Sequence, residues 1–359
     1  MYKNTILLNI FKDNIVFRNK DNNETIYVDS ELNKIWESNQ LNGSCILLKS
    51  QIMLFASGRE TIIVNKENGI IQKSIPISYL NHYFNIIIGR NKKNKEKRSI
   101  IAYDYNSDCV IWEKEIIVSI SLISDNFFFC TAFNERMIIQ SLIYCFNVLD
   151  GNVLWQFSIS DFSPYKDIWG KDQPAKINQI IGVYNNVLWI LVSEFRLIGI
   201  DVETGKLIHH IENILDFLGL DKEEKQHVNL SDTIHLNEKQ GVLKAFAHRF
   251  YFEIDLNRLT GQVKKDFGAI WKDSWRIKHS NYYQEYPNLL FFCGYYKNMD
   301  VSNAFGFFDT EKAEIIWYDT TKDDLGYFYN PPQANDKLLA ILDDKHNLLV
   351  YERKNISYE

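Results

Sequence analysis

A short unit recurs along the whole chain, and its clearest copy is Arg196–His209. It reads as an apolar strand, Asp201, a Thr204-Gly205 turn and a second strand. Neighbouring copies are 36 to 54 residues apart. A repeat of this length that consists of hairpins is typical of a β-propeller. Aligning each copy on the polar residue that ends its first strand gives eight anchor positions: Asp29, Asn65, Asp104, Asn147, Asp201, Asp255, Asp309 and Glu352.

The repeat predicts an all-β fold, a single β-propeller domain over 1–359 built of four-stranded antiparallel blades. Eight anchors favour eight blades, and seven is the alternative if the first unit is degenerate. A propeller must close its ring to hide the sheet edges. The last unit is short, so either its tail forms a stub or the strand around Thr5–Asn9 is shared in closing the ring.

The anchor side chains have a structural explanation, since they recur in nearly every unit. We expect each carboxylate or amide to accept hydrogen bonds from backbone amides of its own turn. Four of the turns contain a glycine, which supplies the positive φ that a tight hairpin needs. These glycines are Gly69, Gly151, Gly205 and Gly261.

The unit resembles the PQQ-like, or quinoprotein-type, propeller repeat: apolar strand, Asp, two residues, Thr-Gly-Lys, two residues, Trp. Asp201, Thr204, Gly205 and Lys206 match it directly, with His209 in place of the Trp. In that family the Trp docks between adjacent blades. The resemblance therefore implies an inter-blade packing role for four tryptophans: Trp36, Trp112, Trp155 and Trp317. Lys73 and Lys265, like His209, stand at the corresponding place in other units.

The resemblance does not extend to quinone chemistry. Dehydrogenases with this repeat use a disulfide of adjacent cysteines and a calcium site of Glu, Asn and Asp, and this sequence has neither an adjacent cysteine pair nor a recognisable calcium cluster. It also lacks a Gly-x-Ser-x-Gly elbow, a phosphate loop and the HExxH and CxxC metal motifs. We expect no cofactor and no metal, and we assign no catalytic residue.

Composition limits the partners. The formal charge of −6 argues against non-specific nucleic-acid binding, and no apolar run is long enough to span a bilayer. The five scattered cysteines favour free thiols in a reducing compartment, and we recognise no signal peptide. We expect a cytoplasmic protein, with a monomer favoured.

The long connections between units are the candidate functional segments. Four of them, 161–176, 213–230, 269–287 and 320–336, should lie at one end of the blades, opposite the tight turns. They are rich in aromatic rings, and rings on loops held by a rigid scaffold are typical binding anchors. The sequence therefore predicts a face that binds another protein, as in an adaptor, scaffold or immunity-type protein. Its predicted residues are Tyr165, Trp169, Trp271, Trp275, Arg276, Tyr282, Tyr283, Tyr286, Tyr327 and Tyr329.

Three alternatives stay open at this stage. The rings could fold down to cap the propeller. The chain could instead be a carbohydrate-binding or hydrolytic propeller with its site at the channel mouth, where Asp172, Asp273 or Glu285 would act. It could also be a purely structural scaffold.

Overall fold

The computed structural model describes residues 1–49, 52–57, 60–91, 99–133, 139–166, 170–220, 230–247, 249–268, 275–297, 301–321 and 325–352. Contacts between Cα atoms divide the chain into two compact units. Unit 1 comprises Met1–Ala56, Ile62–Ser74 and Gln226–Glu359, and unit 2 comprises Ser57–Thr61 and Ile75–Lys225.

The described residues are almost entirely β-strand and turn. The strands are β1 (Thr5–Phe11), β2 (Asn14–Asn19), β3 (Glu24–Asp29), β4 (Lys34–Ser38), β5 (Ser44–Lys49), β6 (Ile52–Ala56), β7 (Thr61–Asn65), β8 (Ile71–Ile75), β9 (Ile77–Tyr83), β10 (Ile86–Asn91), β11 (Ile100–Asp104), β12 (Cys109–Lys114), β13 (Ile117–Ser124), β14 (Phe127–Phe133), β15 (Ile139–Asn147), β16 (Val153–Ser158), β17 (Tyr165–Lys166), β18 (Asp172–Gln173), β19 (Ile177–Tyr184), β20 (Val187–Val192), β21 (Arg196–Asp201), β22 (Leu207–Ile211), β23 (Ile234–Asn237), β24 (Val242–Ala247), β25 (Phe250–Asp255), β26 (Thr260–Asp266), β27 (Trp275–Tyr282), β28 (Leu289–Tyr296), β29 (Ala304–Asp309), β30 (Glu314–Thr320), β31 (Gln333–Ala334), β32 (Leu338–Leu342) and β33 (Leu348–Glu352).

Consecutive strands pair antiparallel into eight sheets, which we number as blades 1 to 8. They are β1–β4, β5–β8, β9–β12, β13–β16, β19–β22, β23–β26, β27–β30 and β31–β33, with β17 and β18 forming a separate small hairpin. The fold is an eight-bladed β-propeller. Eight blades are therefore confirmed, and the seven-bladed alternative is wrong.

The repeat anchors end the third strand of each blade, as the alignment predicted. The side chains of the first seven anchors, Asp29 to Asp309, accept hydrogen bonds from amides of their own turns. In blade 5, Asp201 Oδ1 accepts from the Thr204 amide at 2.8 Å and from the Thr204 hydroxyl at 2.6 Å. These bonds hold the pKa of Asp201 below its usual value. In blade 7, Asp309 accepts from the amides of Glu311 and Lys312, both at 2.9 Å. The local role predicted for the anchors is confirmed at these turns.

The turn glycines are confirmed at three of the four predicted positions. Gly69, Gly151 and Gly205 have φ between +68° and +71°, in the left-handed region that favours glycine. The prediction for Gly261 is wrong, because Gly261 lies inside β26 and Leu259 holds the positive φ of that turn, at +50°.

Three tryptophans dock on the turn of the next blade. Each indole N–H donates to the backbone carbonyl of the residue that follows the next anchor. The bonds run from Trp36 to Lys66 (2.8 Å), from Trp112 to Val148 (2.7 Å) and from Trp155 to Val202 (2.6 Å). Trp317 stacks on Phe307 at 5.2 Å in its own blade and approaches Tyr351 of blade 8 at 5.5 Å. The structure thus places all four rings between neighbouring blades of the same unit.

Within unit 1, blade 8 meets the beginning of the chain. Tyr2 pairs antiparallel with Leu348, and the Thr5 amide donates to the His346 carbonyl at 2.8 Å. A core cluster that includes Ile15, Phe17 and Leu338 joins blades 1 and 8. Residues ahead of β1 therefore continue blade 8 beside its third strand, while β1 itself belongs to blade 1. The tail that could have formed a stub, 353–359, lies outside the described residues.

The one α-helix among the described residues, α1, is short. It spans Ile214–Phe217, with the Asn213 side chain accepting from the amides of Leu215 and Asp216. Within the part of the chain that the structure describes, no helix is long and apolar enough to cross a bilayer.

Candidate functional site

An aromatic loop precedes blade 8, and we call it the tyrosine loop (325–332). Tyr327 and Tyr329 are 37% and 50% exposed, whereas Phe328 between them is fully buried. The Phe328 ring packs edge-on against Phe305 at 4.7 Å. Burial of the central ring anchors the loop and leaves the two tyrosine rings facing outward.

Two carboxylates of the β32–β33 turn hold the backbone of this loop. Asp343 Oδ2 accepts from the Gly326 amide and Asp344 Oδ1 accepts from the Tyr327 amide, both at 2.8 Å. The Asp344 amide also donates to the Tyr327 carbonyl at 2.9 Å. Hydrogen bonds to charged groups are stronger than neutral ones. The two aspartates therefore fix the direction in which the tyrosines project.

A lysine of blade 7 lies beside the loop. The Lys278 ammonium is 5.6 Å from the centre of the Tyr329 ring and 5.8 Å from that of Tyr295, which lies on the neighbouring strand β28. An ammonium near a ring face is attracted by the ring quadrupole. Lys278 thus links the tyrosine loop to blade 7 and adds a positive charge next to it.

A polar pocket of about 290 Å³ lies where the tyrosine loop meets the first strands of blades 6 and 7. Inside it, His235 Nε2 and Ser280 Oγ are 2.8 Å apart, and His279 Nδ1 is 3.4 Å from Asp232 Oδ2. The main polar side chains of its wall are those of Asp232, His235, His279, Ser280, Asn281 and Asn330.

Burial controls the charge of this pocket. It lowers the pKa of His235 to about 4. It also lowers the pKa of His279, although Asp232 opposes the shift. Both imidazoles are therefore neutral near pH 7, and each can donate one hydrogen bond and accept another.

A second polar cavity, of about 230 Å³, lies between blades 6 and 7 near their turns. Lys244 is buried there, and its ammonium donates to the Pro287 carbonyl at 2.7 Å and to the Thr310 hydroxyl at 2.8 Å. Thr310 follows the anchor Asp309, so it occupies the position that binds an indole in the Trp-containing blades. Lys265 stands in place of the Trp in blade 6, pairing with Tyr251 as Trp36 pairs with Tyr27.

Two of the predicted partner-binding residues lie in the core instead. Trp275 is 8% exposed and stacks on Tyr296 at 4.5 Å, and Arg276 is 6% exposed and donates to the Trp275 carbonyl. Both belong to β27, so the predicted connection 269–287 contains the first strand of blade 7. The assumption that these two side chains are exposed on a loop is therefore wrong.

Three predicted tyrosines lie at the opposite end of β27. Tyr282 ends that strand, stacked on His235, and Tyr283 and Tyr286 pack edge-on against Phe291 in the turn to β28. These rings are half-buried, which agrees with the capping alternative for this turn. They do not share an end of the blade with the tyrosine loop.

The remaining predicted residues lie neither in β27 nor in the tyrosine loop, or are not described. Tyr165 begins the small β17–β18 hairpin of unit 2, with the Lys176 ammonium 5.3 Å from its ring. Asp172 lies in the same hairpin and is exposed, as is Glu285 in unit 1. Trp169, Trp271 and Asp273 lie outside the described residues. The described residues contain no cluster of three His, Cys, Asp or Glu side chains placed to hold a metal ion.

Solved structures similar to this chain share its fold over nearly the full length. BamB from Moraxella catarrhalis is 11% identical, with 97% of this chain and 98% of that chain covered and a TM-score of 0.59. The computationally designed Ika8 protein is 10% identical, with 98% and 97% covered and a TM-score of 0.62. The quinohemoprotein alcohol dehydrogenase from Comamonas testosteroni is 9% identical, with 95% and 72% covered and a TM-score of 0.56.

These likenesses show the fold alone. No family model matches the sequence, and no curated protein matches it. A BamB and a quinohemoprotein dehydrogenase among the neighbours agree with a propeller of the PQQ-like type. Function must be argued from the side chains, because one fold supports many functions.

Proposed function

We propose that this chain is a protein-binding β-propeller whose partner docks on the tyrosine loop. The observation that carries the proposal is the exposure of Tyr327 and Tyr329 on either side of the fully buried Phe328. Tyrosine is enriched among the residues that dominate binding energy at protein interfaces. The proposal narrows the ten predicted binding residues to the two that project most clearly from unit 1.

Preorganisation supports the proposal. The Asp343 and Asp344 carboxylates hold the loop backbone before any partner arrives. A loop already fixed in its binding conformation loses less entropy on association, which increases affinity. The Lys278 ammonium beside Tyr329 would favour a partner with an acidic group at the edge of the contact.

The test compares a Tyr327→Ala/Tyr329→Ala variant with the unchanged chain. Proteins captured by each from cells are identified by mass spectrometry, and the Kd of the purified partner is measured by calorimetry. We expect the Kd of the double variant to be about tenfold higher or more, since each anchor ring typically contributes more than about 1 kcal/mol to the binding free energy. Phe84→Ala is the control, because Phe84 is 70% exposed in the β9–β10 turn of unit 2. A partner that bound the double variant as tightly as the unchanged chain would contradict the proposal.

We also propose that the eight blades form one domain over 1–359, that the chain is monomeric and that it is located in the cytoplasm. All five cysteines are free thiols, and four of them are buried, which suits a reducing compartment. Light scattering should give the mass of one chain, 42.3 kDa. Cell fractionation tests the location, and recovery in a secreted fraction would contradict it.

A further inference from the structure

The polar pocket of blades 6 and 7 has features that a protein-binding surface does not require. Its first wall is β23, which supplies His235, and its second is β27, which supplies His279, Ser280 and Asn281. Strands position side chains more precisely than free loops do. The tyrosine loop adds Asn330 above them. The polar groups thus converge from three segments on one space.

The volume restricts the ligand. About 290 Å³ is at the lower limit of small-molecule sites, and it corresponds to roughly ten water molecules in the liquid. A nucleotide or a peptide segment would extend beyond it. A molecule of the size of a single sugar ring fits.

The hydrogen-bonding groups restrict the ligand further. Asn330 and the neutral His279 imidazole can each donate and accept. His235 and Ser280 bond each other, and the Asn281 side-chain N–H donates to the Pro332 carbonyl at 3.3 Å, which leaves the Asn281 side-chain oxygen as an acceptor. Asp232 is the single carboxylate of the described wall, and it lies beside His279. Ligand hydroxyl groups match such a wall, because they also donate and accept. An anionic ligand would be repelled by Asp232 and would meet no cationic side chain in the described wall.

We propose that this pocket binds a neutral, hydroxyl-rich small molecule, a monosaccharide or a cyclic polyol. His279 and Asn330 contact the ligand hydroxyls from opposite sides, and Asp232 accepts from one of them. The site shares Asn330 with the tyrosine loop, but its other polar groups lie on β23, on β27 and at Asp232, whereas the exposed rings of Tyr327 and Tyr329 do not line it.

The experiment uses the full chain with defined probes. Glucose, galactose, mannose, N-acetylglucosamine and myo-inositol are tested by saturation-transfer NMR and calorimetry, with glucose 6-phosphate and lysine as charged probes. We expect at least one neutral probe to bind with a Kd of about 5 mM or tighter. Glucose 6-phosphate should bind at least about tenfold more weakly than glucose, because Asp232 repels its phosphate. Lysine binding more tightly than every neutral probe would show that Asp232 selects a cation and would overturn the proposal.

Two variants locate the site. His279→Phe and Asn330→Leu should each weaken the best neutral probe by about fivefold or more, and Asn330 lies on a loop, where the change is least disruptive to folding. Tyr327→Ala/Tyr329→Ala is the control, and it should keep the probe affinity while losing the protein partner. The proposal is overturned if no neutral probe binds, if glucose 6-phosphate binds more tightly than glucose, or if both pocket variants bind as the unchanged chain does. Each result leaves the protein-binding proposal to its own test.

Discussion

The indole N–H of Trp155 donates to the backbone carbonyl of Val202 at 2.6 Å, across the boundary between blades 4 and 5. The same ring lies against Gly205, where an added Cβ would come within 2.7 Å of the indole. Trp112 with Gly151 and Trp36 with Gly69 repeat the arrangement. The glycine of each such turn therefore serves two purposes: it adopts a positive φ and it leaves room for the ring.

Substituting Gly205 should separate these two purposes. Gly205→Ala combines the left-handed backbone cost of about 1 kcal/mol with overpacking against Trp155, about 1–3 kcal/mol more. Gly219→Ala is the matched control, because Gly219 has φ +72° and an added Cβ there would meet no atom within 4 Å. The free energy of unfolding of both variants is measured by denaturant titration. Equal losses for the two variants would show that the ring contact is unimportant.

The presence of a tryptophan in one unit also correlates with the presence of a glycine in the turn of the next unit. The turns that follow the units of Trp36, Trp112 and Trp155 carry Gly69, Gly151 and Gly205, whereas no glycine follows the unit of Trp317. After the units with Lys73, His209 and Lys265, the corresponding turn residues with positive φ are Asp108, Leu259 and Ala313. Within unit 1, Thr310 stands at the indole-binding position of blade 7, and its hydroxyl accepts from Lys244 at 2.8 Å.

Restoring both partners between blades 6 and 7 should rebuild the contact. Lys265→Trp alone should destabilise by about 1–3 kcal/mol, because the ring would collide with the Ala313 methyl. Ala313→Gly alone should change stability by less than about 1 kcal/mol, since relief of its positive φ, +52°, offsets the lost methyl. The double variant should show a favourable coupling above about 1 kcal/mol in a double-mutant cycle. Lys264→Trp paired with Ala313→Gly is the control, and the same coupling there would contradict a specific ring–glycine contact.

The fold could be predicted because the repeat depends on interactions between residues that are close in the sequence. Asp201 and Asp309 each satisfy amides within three residues, so the pattern needs no knowledge of distant contacts. The tryptophans could be assigned because their spacing from the anchors is nearly constant. What the local pattern could not give is the first strand of blade 7.

The candidate site depends on features that are hidden in the sequence. Strand β27 contains a bulge between Ile277 and His279, which breaks the two-residue alternation, and it buries Arg276 and Ser280 despite their polarity. In the tyrosine loop, three consecutive aromatic residues give no sign that only Phe328 is buried. The pocket joins residues that are about one hundred positions apart, from Asp232 to Asn330, and only the packing of three segments brings them together.

His235 should make stability depend on pH. Its pKa is 6.5 in the unfolded chain and about 4 in the folded one, so between these values the unfolded chain binds the extra proton. The stabilisation is therefore complete above pH 6.5 and is lost as the pH falls toward 4, by at most about 3 kcal/mol. His235→Gln can keep a hydrogen bond to Ser280 without titrating, and its unfolding free energy should fall less steeply with acid. Parallel curves for the two proteins would exclude this role.

Lys244 should contribute more to the stability of unit 1 than Lys264, which lines the same cavity. Its buried ammonium links blade 6 to the Pro287 carbonyl and the Thr310 hydroxyl of blade 7. Lys244→Met keeps the aliphatic stem but leaves both oxygens without this donor, so it should cost about 2–4 kcal/mol. Lys264→Met is the matched control, because Lys264 lines the same cavity yet is exposed, and it should change stability by less than about 0.5 kcal/mol. The free energy of unfolding of both variants is measured with a chemical denaturant. If burying the Lys244 charge costs more than its hydrogen bonds contribute, Lys244→Met would be neutral or stabilising, which would contradict this prediction.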